Sequence, residues 1–184
     1  MKSLKLMLYV LLTLIFGCAS SSTVISEFDE SVNFNTYKTF VICIDDLYAE
    51  NTNYPNYDNN MVRQLVADAI ENEMRNKGYK TNVIKPELQA GFDIIVEEKE
   101  NTFTNCETTG EYDYWEKCTI NTEVYTEESL VVYVSDIDKN QYIWQASITC
   151  NLNKSKSNLR QYIKSLIKQL FNAYPKPDKV KTIN

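Results

Sequence analysis

Residues 129–150 alternate in a way that few folds can absorb. Leu130, Val132 and Val134 take every second position of Ser129–Asp136, and Trp144, Ala146 and Ile148 do the same in Gln141–Cys150. The polar tetrapeptide Ile137-Asp138-Lys139-Asn140 separates the two runs. A period of two places one set of side chains on one strand face, and two such runs around a short turn form a hairpin. A hairpin with one apolar face needs a second layer to bury it. The chain supplies that layer twice, as amphipathic helix. Val62, Leu65, Val66, Ala69, Ile70 and Met74 recur at three- and four-residue steps. Asp58 or Asn59 serves as N-cap and Gly78 as the left-handed stop. Leu159, Tyr162, Ile163, Leu166, Ile167, Leu170 and Phe171 form a second stripe over 157–174, with Lys164 and Lys168 opposite and Pro175 ending it.

Two more strands complete the pattern, at Tyr37–Ile44 and Phe92–Glu100, with Asp45–Asn60 between the first strand and the first helix as a polar loop. The order β-α-β-β-β-α predicts an α+β two-layer sandwich, a mixed sheet of about four main strands with two helices packed on one face. Phe40, Ile42, Ile44, Ile94, Val96 and the alternating residues above are expected to face the helices. The opposite parity carries Val41, Cys43, Ile95, Val131, Tyr133 and Ile143 beside Gln145, Ser147 and Thr149. That face is too apolar for a fully wet surface and too polar for a second core. Either the long 101–128 segment covers it, or it meets a partner protein or an apolar ligand through Val131, Tyr133, Val41 and Ile143.

The N-terminus sets an address. Lys2 and Lys5 precede an apolar run from Leu6 to Phe16, too short for the ~20 residues that span a bilayer core and laid out as a secretory signal. Ile15-Phe16-Gly17-Cys18 resembles the lipobox of bacterial lipoproteins, in which cleavage precedes a cysteine that is then lipidated. Several acyl chains at ~0.8 kcal/mol per buried methylene make such an anchor effectively permanent. Ala19, where Asp would retain a lipoprotein at the inner membrane, points to the outer membrane facing the periplasm. The expected organisation is a signal peptide at 1–17, a lipidated Ser-rich tether at 18–27, one domain at 28–175 and a polar tail at 176–184.

Composition then removes chemistries. Loss of Lys2 and Lys5 with the leader takes the net charge from −6 to −8, which gives nucleic-acid phosphates nothing to bind. By the same measure the soluble part would not cling to an anionic membrane, and the lipid must hold it there. The chain has no histidine and four glycines. Ser-His-Asp or Cys-His catalysis, His-ligated zinc and glycine-rich phosphate cradles are therefore out of reach. No cofactor or metal is expected, and no catalytic residue. Asp136-Ile137-Asp138-Lys139-Asn140 imitates the start of a calcium loop, but Gln141 and Ser147 stand where Gly and Glu belong, so it reads as a turn.

Four cysteines remain after Cys18, and an oxidising periplasm favours pairing. Cys106 and Cys118 bracket a polar loop, and a bridge there would constrain the unfolded chain by ~3 kcal/mol. Cys43–Cys150 is the remaining pair; strict alternation sets those two on opposite faces, so free buried thiols are the alternative. Carboxylates cluster at Asp45-Asp46, Glu97-Glu98-Glu100 and Glu127-Glu128, of which a glycosidase would need one pair across a cleft. Tyr48, Tyr54, Tyr57, Tyr112, Tyr114 and Trp115 in the two long loops suit sugar stacking, protein contacts or local cavity filling.

Phe34-Asn35-Thr36-Tyr37-Lys38-Thr39-Phe40, Asn76-Lys77-Gly78-Tyr79, Phe92-Asp93-Ile94-Ile95-Val96 and Glu128-Ser129-Leu130-Val131-Val132 through Asp136 to Trp144 resemble the DUF4136 family, a domain of unknown function. The similarity covers about residues 24–175, with Glu128-Ser129 where a Glu-Gly pair is common and a cysteine-bearing 101–128 insertion. The family's members are mostly assigned as bacterial envelope lipoproteins, and the resemblance implies no activity and no functional residue. The expectation is an outer-membrane lipoprotein whose domain binds another envelope component, a protein or a glycan, without catalysis. The alternatives are a small carboxylate-dependent hydrolase of cell-wall or polysaccharide glycosidic bonds and a structural periplasmic spacer.

Overall fold

The structure, a computed structural model, describes residues 23–107 and 117–176. Six strands and three helices follow one another as β1 (Val24–Phe28), β2 (Thr39–Ile42), α1 (Asp45–Tyr48), α2 (Asn60–Asn76), β3 (Lys80–Thr81), β4 (Leu88–Glu107), β5 (Lys117–Asp136), β6 (Gln141–Cys150) and α3 (Lys156–Asn172). One sheet holds all six strands in the order β1-β6-β5-β4-β2-β3. The β2–β3 and β2–β4 pairs are parallel and the others antiparallel. The mixed α+β class is as expected, but the sheet has six strands where about four were expected, and a short third helix is added.

Local signals set the elements that match expectation. Asn59 caps α2 by accepting from the Val62 N–H at 3.1 Å, and Gly78 turns the chain out with φ 99°. β6 runs over the expected Gln141–Cys150, and Asn140 takes the left-handed corner of the turn at φ 50°. α2 and α3 pack on one face, where Phe40, Leu88, Phe92, Leu130, Val132, Val134, Trp144 and Ile148 meet Val66, Ile70, Met74, Ile163, Ile167 and Phe171. Every one of these is almost completely removed from water.

Four expectations need correction. β1 begins at Val24, inside the stretch read as tether, and pairs with β6 from Val24↔Ile148 to Phe28↔Trp144. Its Ser26 hydroxyl accepts the indole N–H of Trp144 at 3.1 Å, a polar contact that hydrophobic periodicity does not register. β2 stops at Ile42, so Ile44 leaves the sheet and is 62% exposed. Ile143 was placed on the face away from the helices but is buried in the core. A β-bulge at Val134/Ser135 adds one residue to β6, so Ile143 and Trp144 both point inward and Tyr142 takes the outer face.

The fourth correction is the largest. The described parts of segment 101–128, residues 101–107 and 117–128, do not fold over the second sheet face. β4 and β5 continue in unbroken register from Val96↔Glu128 out to Glu107↔Lys117, forming a two-stranded arm beyond the body of the sheet. β6 ends opposite Glu128 and β2 opposite Ala90. Among the described residues neither edge of the arm has a strand partner.

Candidate functional site

Among the described residues, the sheet face opposite α2 and α3 lies open. Val131, Tyr133 and Val41 are half-buried there, and Ile25, Tyr142 and Ile95 are exposed at 65%, 61% and 38%. The same parity continues along the arm through Tyr125 and Phe103, 41% and 47% exposed. Three of the four residues expected to form a partner surface therefore do share this face. Tyr142 replaces Ile143 for the reason given above.

The centre of the face is fixed by a small polar device. β2 diverges after Ile42, and Cys43 N–H makes the last bond to the Ala90 carbonyl at 2.8 Å. The next donor on that side, Phe92 N–H, would be an orphan at the sheet edge. α1 turns there and delivers Asp46, whose Oδ2 accepts from Phe92 N–H at 2.8 Å and from the Tyr133 hydroxyl at 2.8 Å. Tyr133 can reach it only because its cross-strand partner is Gly91. A methyl at Gly91 would lie under 3.0 Å from the Tyr133 ring and from the Asp46 carboxylate. The Tyr142 ring packs edge-on against Tyr133 with centroids 5.0 Å apart. Burial, then the bond to Asp46, pushes the Tyr133 hydroxyl far above its ordinary range, so it acts as a fixed donor and not as a base.

Gln89, Tyr133, Ser135, Asn140, Gln141 and Tyr142 line a shallow depression of about 300 Å³ beside this pair. The loop that carries α1 is held from beneath by an ion pair the sequence does not reveal. Arg63, on the core side of α2, donates to Asp58 through Nε at 2.6 Å and through Nη2 at 2.7 Å, with both residues 1% exposed. The guanidinium also donates to the Asp46 carbonyl and lies 5.6 Å above the Phe92 ring. Asp58 further accepts from Asn51 N–H at 2.8 Å. An apolar stripe interrupted by a cation, five residues after an aspartate, was the only signal for this pair.

The remaining candidates are dispersed. Asp46 is committed to the sheet edge. Glu97 and Glu127 face each other six residues further along the ribbon, roughly 20 Å away, and Lys99 is paired with Glu127. Glu128 lies on the helix side, buried, accepting from Leu152 N–H; burial raises its carboxyl above the ordinary range. Cys43 and Cys150 are free thiols. Of the two alternatives left open for them, the bridge is not made and the free thiols are found, because Cys43 adjoins β4 near Ala90 while Cys150 ends β6, two strands away beyond β5 and further along the sheet. Burial, reinforced by Glu128, pushes the Cys150 thiol up to about 12, which removes it as a nucleophile. Asp136 is committed to protein partners: it accepts from the Tyr37 hydroxyl at 2.7 Å and pairs with Lys139. Among the described residues no cluster of three metal-ligating side chains forms.

Tyr54 and Tyr57 stack edge-to-face at 6.4 Å and pack against the core, whereas Tyr48 is 72% exposed. Tyr112, Tyr114 and Trp115 lie outside the described residues, as does Cys18. The backbone register sets Cys106 directly opposite Cys118.

A PDZ domain protein from Parabacteroides distasonis ATCC 8503 superposes on 86% of this chain with a TM-score of 0.54 at 14% identity. The chain covers 36% of that protein, about a third of its length. A DUF4136 family protein from Bacteroides thetaiotaomicron VPI-5482 gives 0.52 at 16% identity, over 84% of this chain and 96% of its own. A minor lipoprotein from Acinetobacter baumannii gives 0.30 at 12% identity, over 74% of this chain and 91% of its own, a looser likeness from which nothing is argued. None of the curated proteins matches. At these identities the first two likenesses show the fold alone. The sequence profile of DUF4136, a domain of unknown function, matches residues 24–176, from the first residue of β1 to the last described residue of the chain. This chain belongs to the DUF4136 family.

Proposed function

We propose that the chain is a non-catalytic binding module of the bacterial envelope, lipid-anchored at Cys18 to the outer membrane and facing the periplasm, whose open sheet face receives another envelope protein. The observation that carries this reading is the uncovered face itself. Ile25, Val131, Tyr133, Tyr142 and Ile95 form a surface of aromatic and aliphatic side chains, and tyrosine is among the residues enriched at the centres of protein interfaces. The bond to Asp46 and the close seat over Gly91 fix the Tyr133 side chain in that surface, and a preorganised surface loses less entropy on binding. Glu97 and Glu127 oppose each other on the open ribbon, where Glu127 is paired with Lys99, while Asp46 is tied to the sheet edge and Glu128 is buried on the other face. Carboxylates in these settings favour recognition over hydrolysis by a carboxylate pair across a cleft.

The test is site-specific photo-crosslinking in intact cells from position 142, which is exposed and outside the Asp46 network. The expected result is a discrete adduct that Val131→Asp abolishes while the purified variant keeps its far-UV spectrum. Adducts unaffected by Val131→Asp would remove the open face from consideration. Metabolic labelling with a palmitate analogue, lost in Cys18→Ser, checks the anchor separately.

A further inference from the structure

Two irregularities shape the depression beside Tyr133. In unbroken register Ser135 would face Ile143; the bulge at Val134/Ser135 pairs it with Tyr142 instead, re-aiming an aromatic side chain as bulges do beside binding sites. Asn140 takes its left-handed corner two residues earlier. Gln89 is level with Ser135 on the other side. Gln89, Ser135 and Tyr142 therefore form one row across β4, β5 and β6, about 10 Å from end to end at ~4.8 Å per strand. Tyr133 closes the row toward the centre of the face, its ring inclined at 81° to that of Tyr142. Asn140 and Gln141 close it toward the turn.

The described lining carries no charged side chain: it consists of three carboxamides, a serine hydroxyl and two tyrosines. The Tyr133 hydroxyl is committed to Asp46. Ser135 Oγ donates to the Gln89 carbonyl at 3.4 Å and keeps its lone pairs, and Gln141 Nε2 donates to Asp29 Oδ2 at 3.2 Å and keeps its carbonyl oxygen. Among the described residues the side-chain carboxamides of Gln89 and Asn140 and the Tyr142 hydroxyl have no protein partner. A carboxamide both donates and accepts, so a matching ligand must do both. An ion meets no counter-charge in this lining, and an apolar side chain would leave the amides unpaired. The exposed Tyr142 ring calls for an apolar face. A pyranose offers both, with C–H groups on its faces and hydroxyls around its rim. The volume of about 300 Å³ is at the lower limit for small-molecule sites and takes one such ring, the open side leaving room for a chain to continue. The groove between α2 and α3 is larger, about 460 Å³, but Lys164, Lys168 and Glu73 wall it and its described lining has no aromatic ring.

We propose that this depression is a binding subsite for one neutral hexopyranose unit of a glycan, stacked on Tyr142 and hydrogen-bonded by Gln89, Ser135 and Asn140. The subsite depends neither on the lipid anchor nor on the protein contact around Val131. The test is saturation-transfer NMR on the full-length protein in a sugar-free detergent, with maltotriose, cellotriose and triacetylchitotriose as probes. The expected result is transfer to the ring protons of at least one trisaccharide, lost in Tyr142→Ala and retained in Tyr142→Phe. Gln89→Ala, which removes one hydrogen bond, should bind about fivefold more weakly. Val131→Asp, the variant that abolishes the protein adduct, should bind the sugar as wild type does, so the two readings fail separately. Transfer to none of the three probes, or transfer undiminished in a Tyr142→Ala variant with an unchanged far-UV spectrum, would overturn the subsite.

Discussion

Gly91→Ala tests whether the open face is held in place by the device at its centre. The added methyl would lie under 3.0 Å from both the Tyr133 ring and Asp46 Oδ2, so both side chains must leave. Forcing a methyl into a filled site costs ~1–3 kcal/mol. Losing the 2.8 Å bond from the Tyr133 hydroxyl to Asp46 adds ~1.5–3 kcal/mol as a bond to a charged acceptor. The 2.8 Å bond from Phe92 N–H is put at risk as well. The expected loss is ~3–4 kcal/mol, read as a lower urea midpoint at unchanged slope and a Tm lower by ~10 °C. The double variant Gly91→Ala/Tyr133→Ala should cost less than the sum of the two single changes by ~1–2 kcal/mol, because the ring that obstructs the methyl is then gone. A Gly91→Ala variant within 1 kcal/mol of wild type, or strict additivity in the pair, would refute the argument that Tyr133 is seated on a bare backbone.

Three further outcomes follow from the geometry. Arg63→Met strands Asp58 without its cation at 1% exposure and should destabilise by ~3–5 kcal/mol in urea unfolding, with Arg63→Met/Asp58→Asn recovering at least half. The Glu128 carboxyl is raised by burial in the fold, so its stabilising protonated form is complete below the unfolded pKa and lost as pH rises through the folded one. Glu128→Gln, which keeps an oxygen for Leu152 N–H, should therefore gain ~0.5–1 kcal/mol at pH 7 and almost nothing at pH 4; an equal gain at both would show that charge is not the cause. Directly opposed positions on antiparallel strands lie about 4.5–5.5 Å apart at Cα, inside the range a disulfide spans. Non-reducing peptide mapping of protein from an oxidising compartment should accordingly join Cys106 to Cys118 and leave Cys43 and Cys150 free.

Where one side of an element is buried, the sequence was readable. β6, the Asn59 cap, the Gly78 exit and the helix stripes all rest on local patterns that burial imposes. The arm escaped because, among the described residues, nothing covers either of its faces. Asn101–Cys106 and Cys118–Thr122 alternate threonine and asparagine with isolated apolar residues, and main-chain pairing alone leaves no hydrophobic period. Ile143 was misplaced for the opposite reason: the period was present, but one inserted residue reversed it. At the candidate site, Val131 and Tyr133 were legible from parity. Asp46 was not, because its role depends on where β2 ends and on a glycine forty-five residues later. Arg63 and Asp58 were equally hidden, each an ordinary charged residue until the tertiary fold removes both from water.

The bare margins of the β4–β5 ribbon carry a consequence for handling and for synthesis. Asp46 seals the margin at Phe92, but beyond it, among the described residues, each copy offers two rows of amides and carbonyls without a strand partner, ready to zip onto another copy. Glu97, Glu98, Glu100, Glu123 and Glu127 crowd the root of the ribbon, so like charges meet before the strands of two molecules can align there. High salt during purification would screen that repulsion first, and filaments growing with ionic strength are how this protein would be expected to fail.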